Sequence, residues 1–358
     1  MLIGMSTSMR AVFAVLGLIW GSNFLFMKWA AATITPGQVT LLRVLCGFVP
    51  VALYAASRGA LSRRHVRHLH HFAVMSVLAT SAYYFAFASG AALLPSGIAG
   101  ALSGAIPLFS LVGAALLLRG ERPTPVRALG VLIGFAGVLV IARPWEAEGA
   151  VSTAGVLYML AGSASVGLSF VYARRFLVGL DIPAAGLTTY QMGLGLLTLT
   201  AVTDLDGITA IAADTRALAG VVIGLGLLGT GLAYILYYVI VDRLGAVTAS
   251  SATYLPPLVA LAVGWLLAGE PIAPLDGVAA LLIVAGVILS AKRVRRGPAA
   301  RPAAPAAEGR RRTRTPRGPS GRGRPTAWRR GTGRTPWRTA GAAGSRRAGR
   351  PRARTPAS

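Results

Sequence analysis

Acidic residues are scarce: the 358 residues include only 11 Asp and Glu, and none of these falls well inside an apolar run. An interior without carboxylates is expected to hold no acid–base dyad and no mid-span carboxylate to carry a proton. Cysteine is rarer still. Cys46 stands alone, so no intrachain disulfide forms and the redox compartment leaves no mark. Charged residues of both signs make up 13% of the chain, against about 25% in a typical soluble domain. Where charge is missing, the chain runs apolar for stretches of about 17–24 residues. A hydrocarbon core about 30 Å thick needs about twenty helical residues at 1.5 Å rise. Several such stretches in one chain exclude a soluble core and predict an all-α integral membrane protein.

Spans are predicted near 11–30, 37–56, 72–92, 97–118, 126–142, 154–173, 184–203, 217–240, 246–268 and 274–291. Glycine, present 44 times, and proline do not argue against helix in these runs, since both are tolerated in membrane helices. The first run is too long for the apolar region of a cleaved signal peptide and is read as a retained span. Alternate loops carry Arg10; Arg58, Arg63, Arg64 and Arg67; Arg119, Arg122 and Arg127; Arg174 and Arg175; Arg243; and Lys292, Arg293, Arg295 and Arg296. Those fifteen cations face two, Arg143 and Arg216, on the other side. The positive-inside rule then places both termini in the cytoplasm, which requires an even number of spans. Ten fits.

The net charge of +25 is unevenly placed. Residues 297–358 hold seventeen arginines and one acid, Glu308, which leaves +9 for residues 1–296. A segment so rich in Arg, Pro and Gly has too little apolar surface to fold and is expected to be disordered. It reads either as a tolerated extension or as a contact for anionic lipid; no specific nucleic-acid partner is expected.

Residues 107–142 laid on 256–291, an offset of 149, match at eleven of thirty-six positions. Pro107 meets Pro256, Gly120-Glu121 meets Gly269-Glu270, Pro125 meets Pro274 and Gly137 meets Gly286. A repeat of five spans is odd, so the second copy must cross the bilayer in the opposite sense. The expected fold is ten transmembrane helices in two inverted five-helix repeats, an architecture that many secondary transporters use. The repeats cover 10–142 and 154–292, joined by an external linker at 143–153, with the tail at 297–358.

Trp20-Gly21-Ser22-Asn23-Phe24 resembles the opening signature of the EamA-type branch of the drug/metabolite transporter superfamily. Gly229-Thr230-Gly231-Leu232-Ala233-Tyr234, Tyr254-Leu255-Pro256-Pro257 and Gly269-Glu270 are similar to its most recognisable region. The resemblance covers about 10–292. It implies paired EamA domains in a bacterial inner or plasma membrane, exporting amino acids, related metabolites or toxic small molecules. One departure is Gly167-Leu168-Ser169, where the second repeat's opening helix often has a tryptophan.

Candidate site residues follow from what the membrane penalises. Arg43 lies about three residues from its span's middle, where an arginine costs about 2.5–3.5 kcal/mol or more. It reads as an anchor for a carboxylate or as a structural arginine bonded to neighbouring carbonyls. Pro107 and Pro256, near the midpoints of paired spans, point either to a midplane site with freed carbonyls or to packing kinks. Trp20, Asn23, Tyr83, Tyr84, Gln191 and Tyr254 offer an aromatic lining with a few amide and hydroxyl groups, suited to a zwitterion or an aromatic solute. Glu121 and Glu270 sit at helix ends and read as caps or gates, Lys28 can snorkel to the outer interface, and Tyr237, Tyr238 and Trp265 suit an interfacial belt.

Other patterns carry less. Gly224-Leu-Gly-Leu-Leu-Gly229 matches a dinucleotide fingerprint but lies in an apolar span, and Asp204-Leu-Asp206-Gly207 lacks the distal glutamate of a calcium loop. His65, His68, His70 and His71 share a loop with arginines and no carboxylate or thiol, so no metal or other cofactor is expected. With no catalytic pair in the membrane, an enzyme is not expected. The predicted activity is export of a small metabolite by alternating access; a channel or a non-transporting binding or signalling protein is the alternative. The expected partners are a small-molecule substrate and the lipid bilayer, with a homodimer left open.

Overall fold

The computed structural model describes residues 6–118, 124–143, 151–244, 252–253 and 255–291. Glu121, Tyr254, most of the 143–153 linker and the Arg-rich tail lie outside the described residues. Every regular element among the described residues is helical. In chain order these are α1 (Thr7–Ala31), α2 (Pro36–Ser57), α3 (Arg63–Leu93), α4 (Ser96–Leu117) and α5 (Pro125–Ala142). They are followed by α6 (Thr153–Phe176), α7 (Ala184–Val202), α8 (Thr215–Ile240, continuing to Leu244), α9 (Pro256–Ala268) and α10 (Pro274–Ala291). Helices α1, α2, α3, α4, α6 and α8 are long and apolar enough to cross a membrane, and α5, α9 and α10 are shorter apolar helices. This is a multi-pass membrane protein.

Local chemistry sets the helix ends. Thr35 and Gln38 form a reciprocal capping box ahead of Pro36, which needs no hydrogen-bond partner at the first helical position. Ser6, Thr124, Ser152 and Asp214 cap α1, α5, α6 and α8 in the same way, with a side-chain oxygen accepting from a first-turn amide. Three helices depart from regularity. Helix α3 has a π turn at Val77–Ser81 and α8 a long one at Gly220–Leu232. Helix α4 breaks between its halves, Ser96–Ser103 and Ile106–Leu117. Pro107 is the second residue of the later half, and Pro256 opens α9. Both prolines therefore stand at helix starts, where a missing N–H breaks no bond.

Small residues bring the helices together, as lipid supplies no hydrophobic force between them. The tightest pair is α5 on α10. A Cβ on Gly137 would stand 2.7 Å from the Ala279 carbonyl oxygen, and one on Gly286 would run into the backbone of Gly134. Helix α4 meets α9 where Gly100 faces Ala260, and Gly104 leaves room for Pro257. Helix α2 meets α8 where Gly47 faces Thr230 and Gly231 faces Pro50. The other main pairings are α1 with α8 and α9, α6 with α3 and α4, and α7 with α2 and α3. Exchanging α1–α5 with α6–α10 in order maps each of these pairings onto another of them, or onto itself.

Candidate substrate site

Arg43 is on α2, facing α1, α3 and α8, and is only 3% exposed. Its position depends on the irregular turn of α8. In a π stretch the hydroxyl of Thr230 donates to the Leu225 carbonyl five residues back, at 2.9 Å. The same oxygen then accepts from Arg43 Nε at 3.0 Å, and the absence of a side chain at Gly47 lets Thr230 come this close. The Asn23 amide is oriented so that its nitrogen donates to the Ile19 carbonyl at 3.2 Å. Its oxygen then accepts from Arg43 Nη2, also at 3.2 Å. Arg43 Nη1 reaches only the thioether of Met27, a weak acceptor, at 3.8 Å. The guanidinium lies over the ring of Tyr84, 4.0 Å from its centre. Tyr84 packs in turn on Tyr83, whose ring meets Phe87 edge-on.

Among the described residues no carboxylate pairs with Arg43; the ion pairs there are Lys28–Glu270, Arg58–Asp242 and Arg143–Asp276. A guanidinium carries five N–H donors, and the contacts above leave two of them unused. A buried cation with spare donors, an aromatic face beneath it and no counter-charge is chemically suited to a carboxylate from outside the protein.

The other predicted residues separate into groups. Asn23, Tyr83 and Tyr84 join Arg43 in one cluster. Trp20 lies one turn before Asn23 but packs against Tyr237, with ring centres 6.0 Å apart, and makes no contact with the guanidinium. Gln191 is buried on α7 and has no hydrogen bond to the cluster. Pro107 and Pro256 stand at the α4 break and the α9 start, with Pro257 against Gly104. Tyr254 and Glu121 fall outside the described residues. Thr230 and Met27 were not anticipated. Thr230 had a signal, a lone hydroxyl between two glycines, but a sequence does not show that it would face Arg43.

Glu270 forms a second polar centre. It accepts from Lys28 Nζ at 2.7 Å, from the Ser96 and Gly97 amides at 2.9 and 3.1 Å, and from Ser96 Oγ at 2.9 Å. It thereby caps the start of α4 from the end of α9 and ties in α1. Burial alone would raise this carboxyl, but Lys28 and the Ser96 and Gly97 donors outweigh it and hold it below the usual carboxylate range. Lys28 is thus paired rather than simply snorkelling. Nearby, Asp276 is 4% exposed in the first turn of α10 and accepts from Arg143 Nη2 at 2.8 Å and from the Ala273 amide at 3.0 Å. Tyr238, read from sequence as part of an interfacial belt, is instead buried, stacked on Tyr54 and Tyr234. Its position near a helix end is set by packing against α2. The four histidines, expected in a loop, stand on the opening turns of α3, and two of them are engaged by tyrosines, His65 by Tyr190 and His71 by Tyr172.

The EamA-like transporter family matches the sequence twice, over residues 9–143 and 153–292. An uncharacterized transporter of Archaeoglobus fulgidus is 24% identical, over 79% of this chain and 98% of that protein. The uncharacterized inner membrane transporter YedA of Escherichia coli K12 is 25% identical, over 78% and 89%. A probable terminal-alkyne amino-acid exporter of Streptantibioticus cattleyicolor is 29% identical, over 79% and 94%. A solved crystal structure is similar with a TM-score of 0.50 at 21% identity, over 80% of this chain and 97% of the other, a likeness of fold alone.

Proposed function

Since this chain belongs to the EamA-like transporter family, we propose that it is a secondary transporter exporting a small carboxylate-bearing metabolite, an amino acid or a close relative of one, by alternating access. The observation that carries this reading is Arg43, buried, charged and without a carboxylate partner among the described residues. A charge held at that depth with no counter-ion is expensive unless a ligand supplies one. Tyr84 and Tyr83 give the solute an aromatic wall, and Asn23 and Thr230 hold the guanidinium so that its free edge stays available. The relative named as a probable amino-acid exporter agrees with this chemistry.

Alternating access rests on the repeat. Three observations support two inverted five-helix halves: the family matches twice, the main helix pairings survive exchange of the halves, and the 149-residue offset carries the π turn of α3 into that of α8. The charge asymmetry of the loops supports cytoplasmic termini in a cell membrane.

A thermal-shift panel tests the site. Amino acids that bind should raise the melting temperature of the purified protein, while their amides and decarboxylated amines should not. Arg43→Gln should abolish the shift. Equal shifts by acids and amines, or a shift that survives Arg43→Gln, would remove the carboxylate anchor.

A further inference from the structure

A crevice of about 760 Å³ opens between α3 and α7, at the end of the molecule where α2 begins. Gly37 of α2, Ser81, Phe85 and Ser89 of α3, and Leu199 and Val202 of α7 line it. The repeat shows what occupies the equivalent place in the other half. The 149 offset carries Ser81, Phe85 and Ser89 onto Thr230, Tyr234 and Tyr238 of α8. Setting the starts of α2 and α7 in register, an offset of 148, carries Val202 onto Tyr54 and Gly37 onto Ala185.

That second place is filled. Tyr54, Tyr234, Tyr238, Ala55 and Ala185 form one packed cluster. Tyr238 stacks on Tyr54 at 6.1 Å and on Tyr234 at 6.0 Å between ring centres. Of their counterparts in the crevice, Val202 is 77% exposed and Phe85 43%, while Ser89 lines its floor at 5%. The two places lie at opposite ends of α2. Gly37 and Tyr54 are seventeen residues apart, roughly 25 Å of helix. Arg43 lies between them. Between the crevice and Arg43 the side chains are packed: Leu199 of the crevice and Tyr84 beneath the guanidinium are buried, and with Val51 and Tyr234 at the stack they belong to one apolar cluster.

We infer that Tyr54, Tyr234 and Tyr238 are a gate that closes the α2–α8 crevice, and that the α3–α7 crevice is the open vestibule on the way toward Arg43 in this conformation, with the cluster of Leu199 and Tyr84 still packed between them. Two related halves in different states, one open and one shut, are what one member of an exchanging pair requires. In the other member α8 leaves α2, the tyrosine stack parts, and α3 closes on α7 as Ser89 and Phe85 take the places that Tyr238 and Tyr234 hold here. The gate rests on the alternating-access reading above and gives it named parts.

The single cysteine serves as reporter. Cys46 is half-buried on α2 against Gly226 of α8, at the interface that must open. Packing against α8 shields the thiol from a water-soluble reagent, and opening of the interface exposes it. The test is the rate at which a water-soluble maleimide labels Cys46 in lipid nanodiscs, where both faces are reached. Tyr54→Val with Tyr238→Ser, the residues of the open half, should raise the rate about tenfold, as expected for loss of two aromatic contacts. Ser89→Tyr with Val202→Tyr should raise it too, by filling the distant crevice, which lies at the far end of α2 from the tyrosine stack and does not include α8. Tyr54→Phe with Tyr238→Phe should label as wild type, which separates gating from damage to the fold. Unchanged labelling in the Ser89/Val202 variant, with the protein still eluting as one species, would overturn the gate. Labelling needs no substrate, so coupled labelling in a protein that fails to bind any carboxylate would sink the anchor at Arg43 and keep the gate.

Discussion

Arg43 inverts the usual relation between a buried charge and stability. Removing one partner of a buried pair is strongly destabilising, but Arg43 has no acidic partner to orphan among the described residues. A charge at helix mid-depth costs about 2.5–3.5 kcal/mol, and its hydrogen bonds to Thr230 and Asn23, at about 1.5 kcal/mol each, bring it close to break-even. Arg43→Gln should therefore leave the melting temperature unchanged or raised while flux is lost; a falling melting temperature would mark a structural arginine. Thr230→Val removes the acceptor for Nε and should weaken substrate binding by about tenfold, the value of one charged hydrogen bond, as read by the half-saturating concentration. Glu270 behaves in the opposite way. Its carboxyl is held below the ordinary range in the folded state, so its contribution is fully present above that range and is lost as the pH falls through the lowered value. Glu270→Gln should lower the melting temperature at neutral pH, and the gap from wild type should close as the pH is taken below the carboxylate range. A gap constant with pH would contradict the pairing with Lys28. The arginine itself was legible from its depth in an apolar run. Its isolation was not, because Thr230 lies 187 residues away and the missing partner shows only in three dimensions.

Among the helices, close approach and irregular turns do different work. The α5–α10 pair depends on the missing side chain of Gly286, where a Cβ would strike the Gly134 backbone, which cannot swing aside. Gly286→Ala should lower unfolding stability by about 1–3 kcal/mol, the usual cost of overpacking, whereas Gly277→Ala on the same helix meets nothing within 4 Å and should be neutral. Denaturation of the two variants side by side checks this; equal effects would remove the glycine contact. Gly137 and Gly286 were visible as a matched pair in the repeat, and their meeting with the opposite helix fits that match. Helix positions were legible because apolar length is a direct readout of bilayer thickness. The π turns were not, since no residue type specifies an extra residue in a turn; only the glycine run of α8 hints at it. Asp276 also escaped notice. An acid at a helix start reads as a solvated cap, and its burial against Arg143 depends on how α5 lies on α10.

In the proposed mechanism the molecule works as two halves that share one site and differ in what they close. The repeat was legible in paired prolines and glycines, but the difference between the halves was not. Ser89 and Tyr238, or Val202 and Tyr54, look like ordinary divergence until one set lines an open crevice and the other fills its counterpart. The proposed core of the mechanism lies within 10–292, so truncation at 297 should leave transport rates unchanged; a large loss would assign the arginine-rich tail a direct role. The most direct measurement of the whole reading is counterflow in proteoliposomes. Vesicles loaded with an unlabelled amino acid should accumulate the labelled one transiently and saturably. The matching amide should drive no exchange, and Arg43→Gln vesicles should behave as empty ones. Non-saturating flux, or exchange of acid and amide alike with Arg43 replaced, would contradict a carboxylate transporter built around that arginine.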